Sequence, residues 1–196
     1  MNRTLSRISA IALLTALGGC VSLGGADVPE NLLTLTPTNA LPAGATASGT
    51  MANAIAIIEP NAPQRLDVTR VPVQVTDAKI AYLEDAVWVE KPAKLFRRLL
   101  SETIAARGNR LVIDGADPDL PAQTRLYGTM LDMGYDVQTS SVVVRYEAIR
   151  EFTTGEIQTR RFESIVPGIP ATAAGVGPAL NQAANDVAGQ IADWVG

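Results

Sequence analysis

The chain has 196 residues, contains no histidine and a single cysteine, and carries a formal charge of −4. The lack of histidine excludes Ser-His and Cys-His nucleophile systems and removes the commonest metal ligand, while the acidic balance argues against a nucleic-acid partner. One cysteine cannot form a disulfide within the chain, so stability has to come from packing.

The first twenty residues have the pattern of a bacterial lipoprotein signal. A basic start precedes an apolar run at residues 8–17, and Leu17-Gly18-Gly19-Cys20 has the form of a lipobox. Its small glycines let a peptidase approach the backbone, so cleavage is expected between Gly19 and Cys20. We predict a signal peptide at residues 1–19, covalent diacylglycerol and N-acyl lipid on Cys20, and no other cofactor.

Two alternatives remain open for this segment. Residues 8–17 can be read as an uncleaved membrane helix, although a span needs roughly 20 apolar residues and this run has about half that length. Cys20 can also be an ordinary buried thiol. If the signal is removed, Arg3 and Arg7 leave with it and the charge falls from −4 to −6.

Residues 20–50 are predicted to be a lipidated N-terminus and flexible tether, because Val21–Gly25 and Pro37–Gly49 are rich in Gly, Pro, Ala and Thr. Between them, Asn31–Thr36 predicts either a short first strand or a sticky part of the linker. Residues 51–196 are predicted to form a single domain.

Short extended segments alternate with turns in the first half of this domain. Asn53–Ile58 predicts a strand that Glu59-Pro60 ends, and a proline-containing extended path follows. Further strands are predicted at Val73–Val75, Lys79–Leu83 and Arg110–Ile113. Residues 114–121 predict a turn-rich loop.

Two amphipathic helices are predicted. Pro92–Arg107 has a proline suited to the first turn and Gly108 just past its end. Its apolar residues recur at three- and four-residue spacing, with Arg97, Arg98, Ser101 and Glu102 on the other side. The second helix is predicted to begin at Pro178 and end at Val195, after a Gly- and Pro-rich linker at Pro167–Gly177.

Three long alternating runs, Thr124–Val137, Val142–Phe152 and Glu156–Val166, predict an antiparallel meander. The first run is predicted to place its odd-numbered residues, from Tyr127 to Val137, on one face. Such hairpins need one covered face. The expected fold class is therefore α+β: an antiparallel meander with two amphipathic helices on one face, preceded by a lipidated flexible tether.

Catalytic motifs are absent from the sequence. Gly175-Val176-Gly177 is interpreted as linker and not as a nucleotide-binding loop, because no strand precedes it in the required way. Glu84, Asp85 and Glu90 can in principle supply an acid and a base, as glycoside hydrolysis requires, but we favour the alternative that they form a solvated connection before a helix. We predict no enzymatic activity and no metal site.

Aromatic residues are concentrated around this acidic connection. Tyr82 and Trp88 are predicted as partner-binding residues, because large aromatics anchor interfaces with little loss of entropy. The alternative for Trp88 is a place in the core.

The same region carries a family resemblance. The lipobox, Ile57-Ile58-Glu59-Pro60, Leu66-Asp67-Val68-Thr69-Arg70, and Ile80-Ala81-Tyr82 followed by Ala86-Val87-Trp88-Val89-Glu90-Lys91-Pro92 and a leucine-rich helix occur in this order. Together they resemble the ABC-type transport auxiliary lipoproteins, the PqiC-like partners of MCE lipid transport systems. The resemblance covers Leu32 to Trp194.

This resemblance implies a periplasmic domain that acts with an MCE-domain protein and an ABC permease and ATPase in lipid movement, with no catalytic residues. Val21 follows the lipidated cysteine where an aspartate would signal retention in the inner membrane, which implies anchoring at the periplasmic face of the outer membrane. The alternative function is a structural envelope-assembly lipoprotein that binds an outer-membrane protein or a cell-wall polymer.

Overall fold

The computed structural model describes residues 31–108, 110–114 and 122–196. They form a seven-stranded sheet with two α-helices on one face. In chain order, the elements are a 3-10 turn Met51–Asn53, β1 Ala54–Ile57, β2 Arg70–Thr76, β3 Lys79–Val87, α1 Pro92–Ala106, β4 Leu111–Asp114, β5 Thr124–Asp136, β6 Ser141–Phe152, β7 Ile157–Pro167 and α2 Ala173–Val195.

Strand β5 lies at the centre of the sheet. Three segments lie one after another along one of its edges, and all run parallel to it. They are β1, then Asn61, which forms a single bridge with Thr129, and then β2. Its other edge pairs with β6 along its whole length, and β6 pairs in turn with β7, in antiparallel register. Strand β4 lies beside β1 and β3 lies beside β2.

The α+β class is confirmed, and the predicted meander is β5, β6 and β7. The parallel pairs of β5 with β1 and β2 are additional to the prediction. One of them depends on close backbone approach: a Cβ at Gly134 would lie 2.4 Å from the carbonyl oxygen of Pro72, where β2 meets β5. Glycine therefore allows the two strands to pair there.

The predicted face of β5 is wrong for its first half. Met130 lies opposite Tyr146 and Asp132 lies opposite Arg145, so Leu131 is an extra residue in a β-bulge. Before the bulge the buried residues are even-numbered, from Thr124 to Met130, whereas Met133 and Tyr135 are buried after it. A one-residue insertion exchanges the two faces of a strand, and alternation in the sequence does not reveal it.

Helix α1 agrees with the prediction and ends at Ala106, followed by Gly108 with a φ of 71°. All of the apolar residues of its predicted inner face are buried: Leu95, Phe96, Leu99, Leu100 and Ile104. Ser101, predicted on the outer side, is also buried, because α2 packs beside α1 and covers a wider strip of it.

Helix α2 begins five residues earlier than predicted. Thr172 is its N-cap, and the Thr172 side chain accepts a hydrogen bond from the backbone N–H of Gly175. Pro178 therefore lies inside the helix, where it removes one backbone bond. Burial of Val176, Ala179 and Leu180 on either side offsets that loss. The glycines at 175 and 177 belong to the helix and not to a linker.

Candidate functional site

The segment that leads into the domain is held on its surface. Residues 33–38, which we term the strap, cross α2 and reach the end of β3. The backbone N–H of Leu33 donates to Val87 O at 2.7 Å, and Val89 N–H donates to Leu33 O at 2.9 Å. Leu33 thus forms a single parallel bridge with Trp88 in place of the short strand considered for Asn31–Thr36.

Two asparagines of α2 bind the backbone of the strap. The N–H of Thr36 donates to Asn181 Oδ1 at 2.8 Å, and the N–H of Thr38 donates to Asn185 Oδ1 at 2.7 Å. Asn185 Nδ2 donates in return to Thr36 O at 2.9 Å. Because Asn181 and Asn185 are four residues apart, they lie on one face of the helix and match an extended backbone.

Side-chain packing fixes the same segment. Leu33 and Leu35 are half-buried against the main core. A Cβ at Gly177 would lie 2.7 Å from Leu33 Cδ2, so this glycine forms the notch in α2 that accepts the leucine. The strap is therefore part of the packed structure, whereas residues 39–50, which link it to the 3-10 turn, are all exposed.

The predicted lipidation site lies upstream of the strap. Cys20, the cleavage residue Gly19 and the predicted tether segment Val21–Gly25 are outside the described residues, and lipidation stays a prediction. Leu33 follows Cys20 by thirteen residues, which limits the distance between the two to about 45 Å at full extension. Among the described residues, the strap is the first segment held against the domain.

Trp88, one of the two residues predicted to bind a partner, lies in the core. Its side chain is 1% exposed, and its backbone N–H donates to Thr69 O at 2.7 Å. Tight burial between β3, the strap and the helices leaves it almost no surface for a partner. This is the position that the core alternative described.

Tyr82, the other predicted partner-binding residue, is half-buried on β3. The guanidinium of Arg70 lies 4.6 Å from the centre of its ring, within the range of a cation–π contact. A register irregularity in β3 separates Tyr82 from Trp88, because Tyr82 pairs with Pro72 while Val87 pairs with Arg70. Tyr82 alone of the two presents an aromatic surface to solvent.

The acidic residues considered as an acid and a base do not form such a pair. Glu84 and Asp85 are exposed on β3. Glu90 lies next to Lys94 and Arg98, and hydrogen bonds from both side chains, with Lys94 the larger cause, hold the pKa of its carboxyl below the ordinary 4.5. A general acid needs a raised pKa, so Glu90 is unsuited to that role.

The lowered pKa of Glu90 predicts a measurable titration. Its contacts with Lys94 and Arg98 are complete above pH 4.5 and are lost as pH falls through the lower pKa of the folded state. We expect nuclear magnetic resonance to place the carboxyl titration below 4.5, and Lys94→Gln to move it upward. Titration at or above 4.5 in the unmodified protein would contradict the observed contacts.

Other features of the described residues do not form a reaction centre. A shallow groove of about 380 Å³ on the sheet face away from the helices is lined by Glu59, Asn61, Arg125, Tyr127 and Glu151, among others. Within residues 31–108, 110–114 and 122–196, no cluster of three or more side chains suits a metal ion. Neither helix there is apolar enough over a sufficient length to cross a bilayer.

Sequence reasoning missed Asn181 and Asn185. Asparagine in the interior of a helix is unfavourable, so two of them at a spacing of four indicate that their amides have partners elsewhere. That signal was available in the sequence. The identity of the partner was not, because Thr36 lies 145 residues from Asn181 along the chain.

Replacing both asparagines, Asn181→Ala with Asn185→Ala, is expected to release the strap. Each lost hydrogen bond contributes about 1 kcal/mol, so the Thr36 and Thr38 amides should exchange with deuterium at least roughly fivefold faster while the sheet stays protected. Gln182→Ala, an exposed position between them, is the control. Unchanged exchange in the double variant would show that the leucines alone hold the strap.

Comparison with known proteins agrees with this architecture. A family model described as the ABC-type transport auxiliary lipoprotein component matches residues 34–192. That description names a transport accessory and not an enzyme. No curated protein matches the sequence.

Two solved structures share the fold. Protein XCC0632 from Xanthomonas campestris, of the DUF330 family model, has a TM-score of 0.66 and 15% identity, over 85% of this chain and 92% of that chain. A second structure, described as an uncharacterized protein, has a TM-score of 0.62 and 16% identity, over 74% of this chain and 94% of that chain. At these identities the likeness concerns the fold alone.

Proposed function

Since the chain belongs to the family of ABC-type transport auxiliary lipoprotein components, we propose that it is a periplasmic accessory lipoprotein of an ABC transporter that works with an MCE-domain protein to move lipid. The family resemblance found in the sequence is confirmed by this membership. The match over residues 34–192 is the observation that carries the proposal, and it begins inside the strap.

The proposed role is to position the domain between a membrane and the transporter. Two or more acyl chains on Cys20 would insert into the membrane, and each buried CH₂ contributes roughly 0.8 kcal/mol. The short chain that follows would keep the domain near that surface, and the strap would fix the orientation of the domain relative to the membrane. The remaining surfaces are then free to dock the MCE protein or the permease.

The proposed membrane is the outer membrane, at its periplasmic face. Val21 follows the predicted lipidated cysteine, and the aspartate that marks retention in the inner membrane is not at this position. Val21→Asp tests this location. Fractionation should find the unmodified protein in the outer membrane and the Val21→Asp protein in the inner membrane.

Photocrosslinking in intact cells tests the proposed function. A photoreactive phenylalanine analogue at Tyr82, in the full chain expressed with its neighbouring genes, is expected to capture an MCE-domain protein or an ABC component. The same analogue at Glu102, exposed on the outer side of α1, is the matched control for a different surface. Crosslinks from both positions only to an outer-membrane protein or to the cell wall would replace this proposal with the envelope-assembly function.

A further inference from the structure

Strand β7 is an open edge of the sheet. It extends over eleven residues, Ile157–Pro167, and among the described strands it pairs with β6 alone. The opposite side of the described sheet ends in β4, with four residues, and in β3, which has an irregular register and the strap bonded at its end. Within the described residues, β7 is therefore the one long, regular edge without a strand beside it.

The hairpin geometry determines which backbone groups of β7 face outward. Phe152 N–H donates to Glu156 O at 2.9 Å, and antiparallel pairing alternates every second residue. The odd-numbered residues, from Ile157 to Ile165, therefore direct their N–H and C=O groups away from β6. Gln190 of α2 agrees with this, because its Nε2 donates to the outward carbonyl oxygen of Glu163 at 3.2 Å.

Side chains of the same residues continue charged rows across the sheet face that is free of helices. In one row, Asp132, Arg145 and Glu163 lie opposite one another on β5, β6 and β7. Arg145 Nε donates to Glu163 Oε2 at 2.6 Å, and Arg145 Nη1 lies 3.8 Å from Asp132 Oδ2. In the neighbouring row, Arg161 donates to Glu147 at 2.8 Å. Each row ends at the open edge with one charge, negative at Glu163 and positive at Arg161.

We propose that two copies of this chain associate through β7, with the strands antiparallel and the two-fold axis at Phe162. In this register Arg161 lies opposite Glu163 of the second copy, and the same contact recurs on the other side of the axis. Both residues have outward backbone groups, and a carbonyl oxygen accepts two hydrogen bonds, so each pair exchanges two backbone hydrogen bonds while Glu163 O keeps its bond from Gln190. The alternating charges then continue without interruption from one sheet into the other.

Charge selects this register over its neighbours. A shift of two residues in one direction would place Arg161 on Arg161, and a shift in the other direction would place Glu163 on Glu163. Like charges directly opposite each other destabilise a strand pair, and opposite charges stabilise it. The proposed register also places Thr159 against Ile165, whose side chain is 51% exposed in the single chain. A self-complementary surface of this kind is what a two-fold interface requires.

Co-purification of two differently tagged full-length copies tests the inference. The copies are expressed together in a host without the neighbouring transporter genes and extracted from membranes in detergent, so the result is independent of the proposed transport function. Purification of one unmodified copy through its tag should also recover the other copy. Arg161→Glu in both copies, or Glu163→Arg in both, should reduce recovery by roughly tenfold or more, because both symmetric contacts become repulsive.

The decisive sample combines one copy with Arg161→Glu and one with Glu163→Arg. Both contacts between the two copies are then attractive, so recovery should return. This is expected even though each substitution breaks an ion pair within its own chain. Glu84→Arg on the opposite side of the sheet is the control and should change nothing, and thermal unfolding verifies that each variant is folded. Absence of recovery between unmodified copies, indifference to the single changes, or failure of the mixed sample would each overturn the proposed interface.

Discussion

Replacement of Trp88 by alanine is expected to lower the free energy of unfolding by about 3–5 kcal/mol, because it removes the largest fully buried side chain of the core and leaves a cavity. Neighbouring side chains cannot close a space of this size, and the strap loses the surface next to Leu33. We expect the midpoint of thermal unfolding to fall by roughly 10 °C, as measured by circular dichroism.

Two matched variants separate packing from partner binding at this position. Trp88→Phe retains most of the buried ring and should lose less stability than Trp88→Ala. Tyr82→Ala, at a half-buried residue of β3, should lose the contact with Arg70 and little more. A Trp88→Ala protein with unchanged stability that failed to bind the transporter would instead identify Trp88 as an interface residue.

Replacement of Cys20 by alanine is expected to have the largest effect on location. Without the thiol no acyl chain can be attached, and we expect the membrane-bound fraction to fall at least roughly tenfold, because stable anchoring needs two lipid chains or an equivalent signal. The protein should appear in the soluble fraction or as an unprocessed precursor. Fractionation followed by mass spectrometry of the N-terminus distinguishes these outcomes.

We expect the domain itself to fold unchanged, because the contacts that hold the strap and the core are made among described residues from Leu33 onward. Ser22→Ala, a neighbouring change that leaves the lipobox intact, is the control and should remain membrane-bound. We also expect Cys20→Ala to abolish support of the transporter. Full function in a protein that lacks the lipid would show that the domain finds its partner without an anchor.

Local patterns in the sequence predicted the parts of the fold that depend on neighbours along the chain. Helix α1 and the three strands of the meander follow from periodicity, proline and glycine positions and short connections. The predicted start of α2 at Pro178 was wrong. Proline is typical of a first helical turn, but this helix begins after Thr172, whose side chain caps it. Proline inside a helix costs one backbone bond, and packing on both sides can offset it.

Features that depend on distant parts of the chain could not be predicted in the same way. The parallel pairs of β5 join segments that nothing local connects, and the bulge at Leu131 reverses the alternation without a glycine or proline to mark it. The strap was half recognised, since Asn31–Thr36 was considered as a strand. Its contact with Asn181 and Asn185 required the folded α2.

The central position of β5 also determines the order in which this protein can fold. Synthesis delivers β1 and β2 first, yet both need an edge of β5, which begins about 70 residues after β1. Their pairing therefore waits for a late part of the chain, and such non-local contacts slow folding to times on the order of milliseconds to seconds. A chain interrupted before Thr124 would keep β1 and β2 without the strand that joins them, so we expect the described residues before Thr124 not to fold independently.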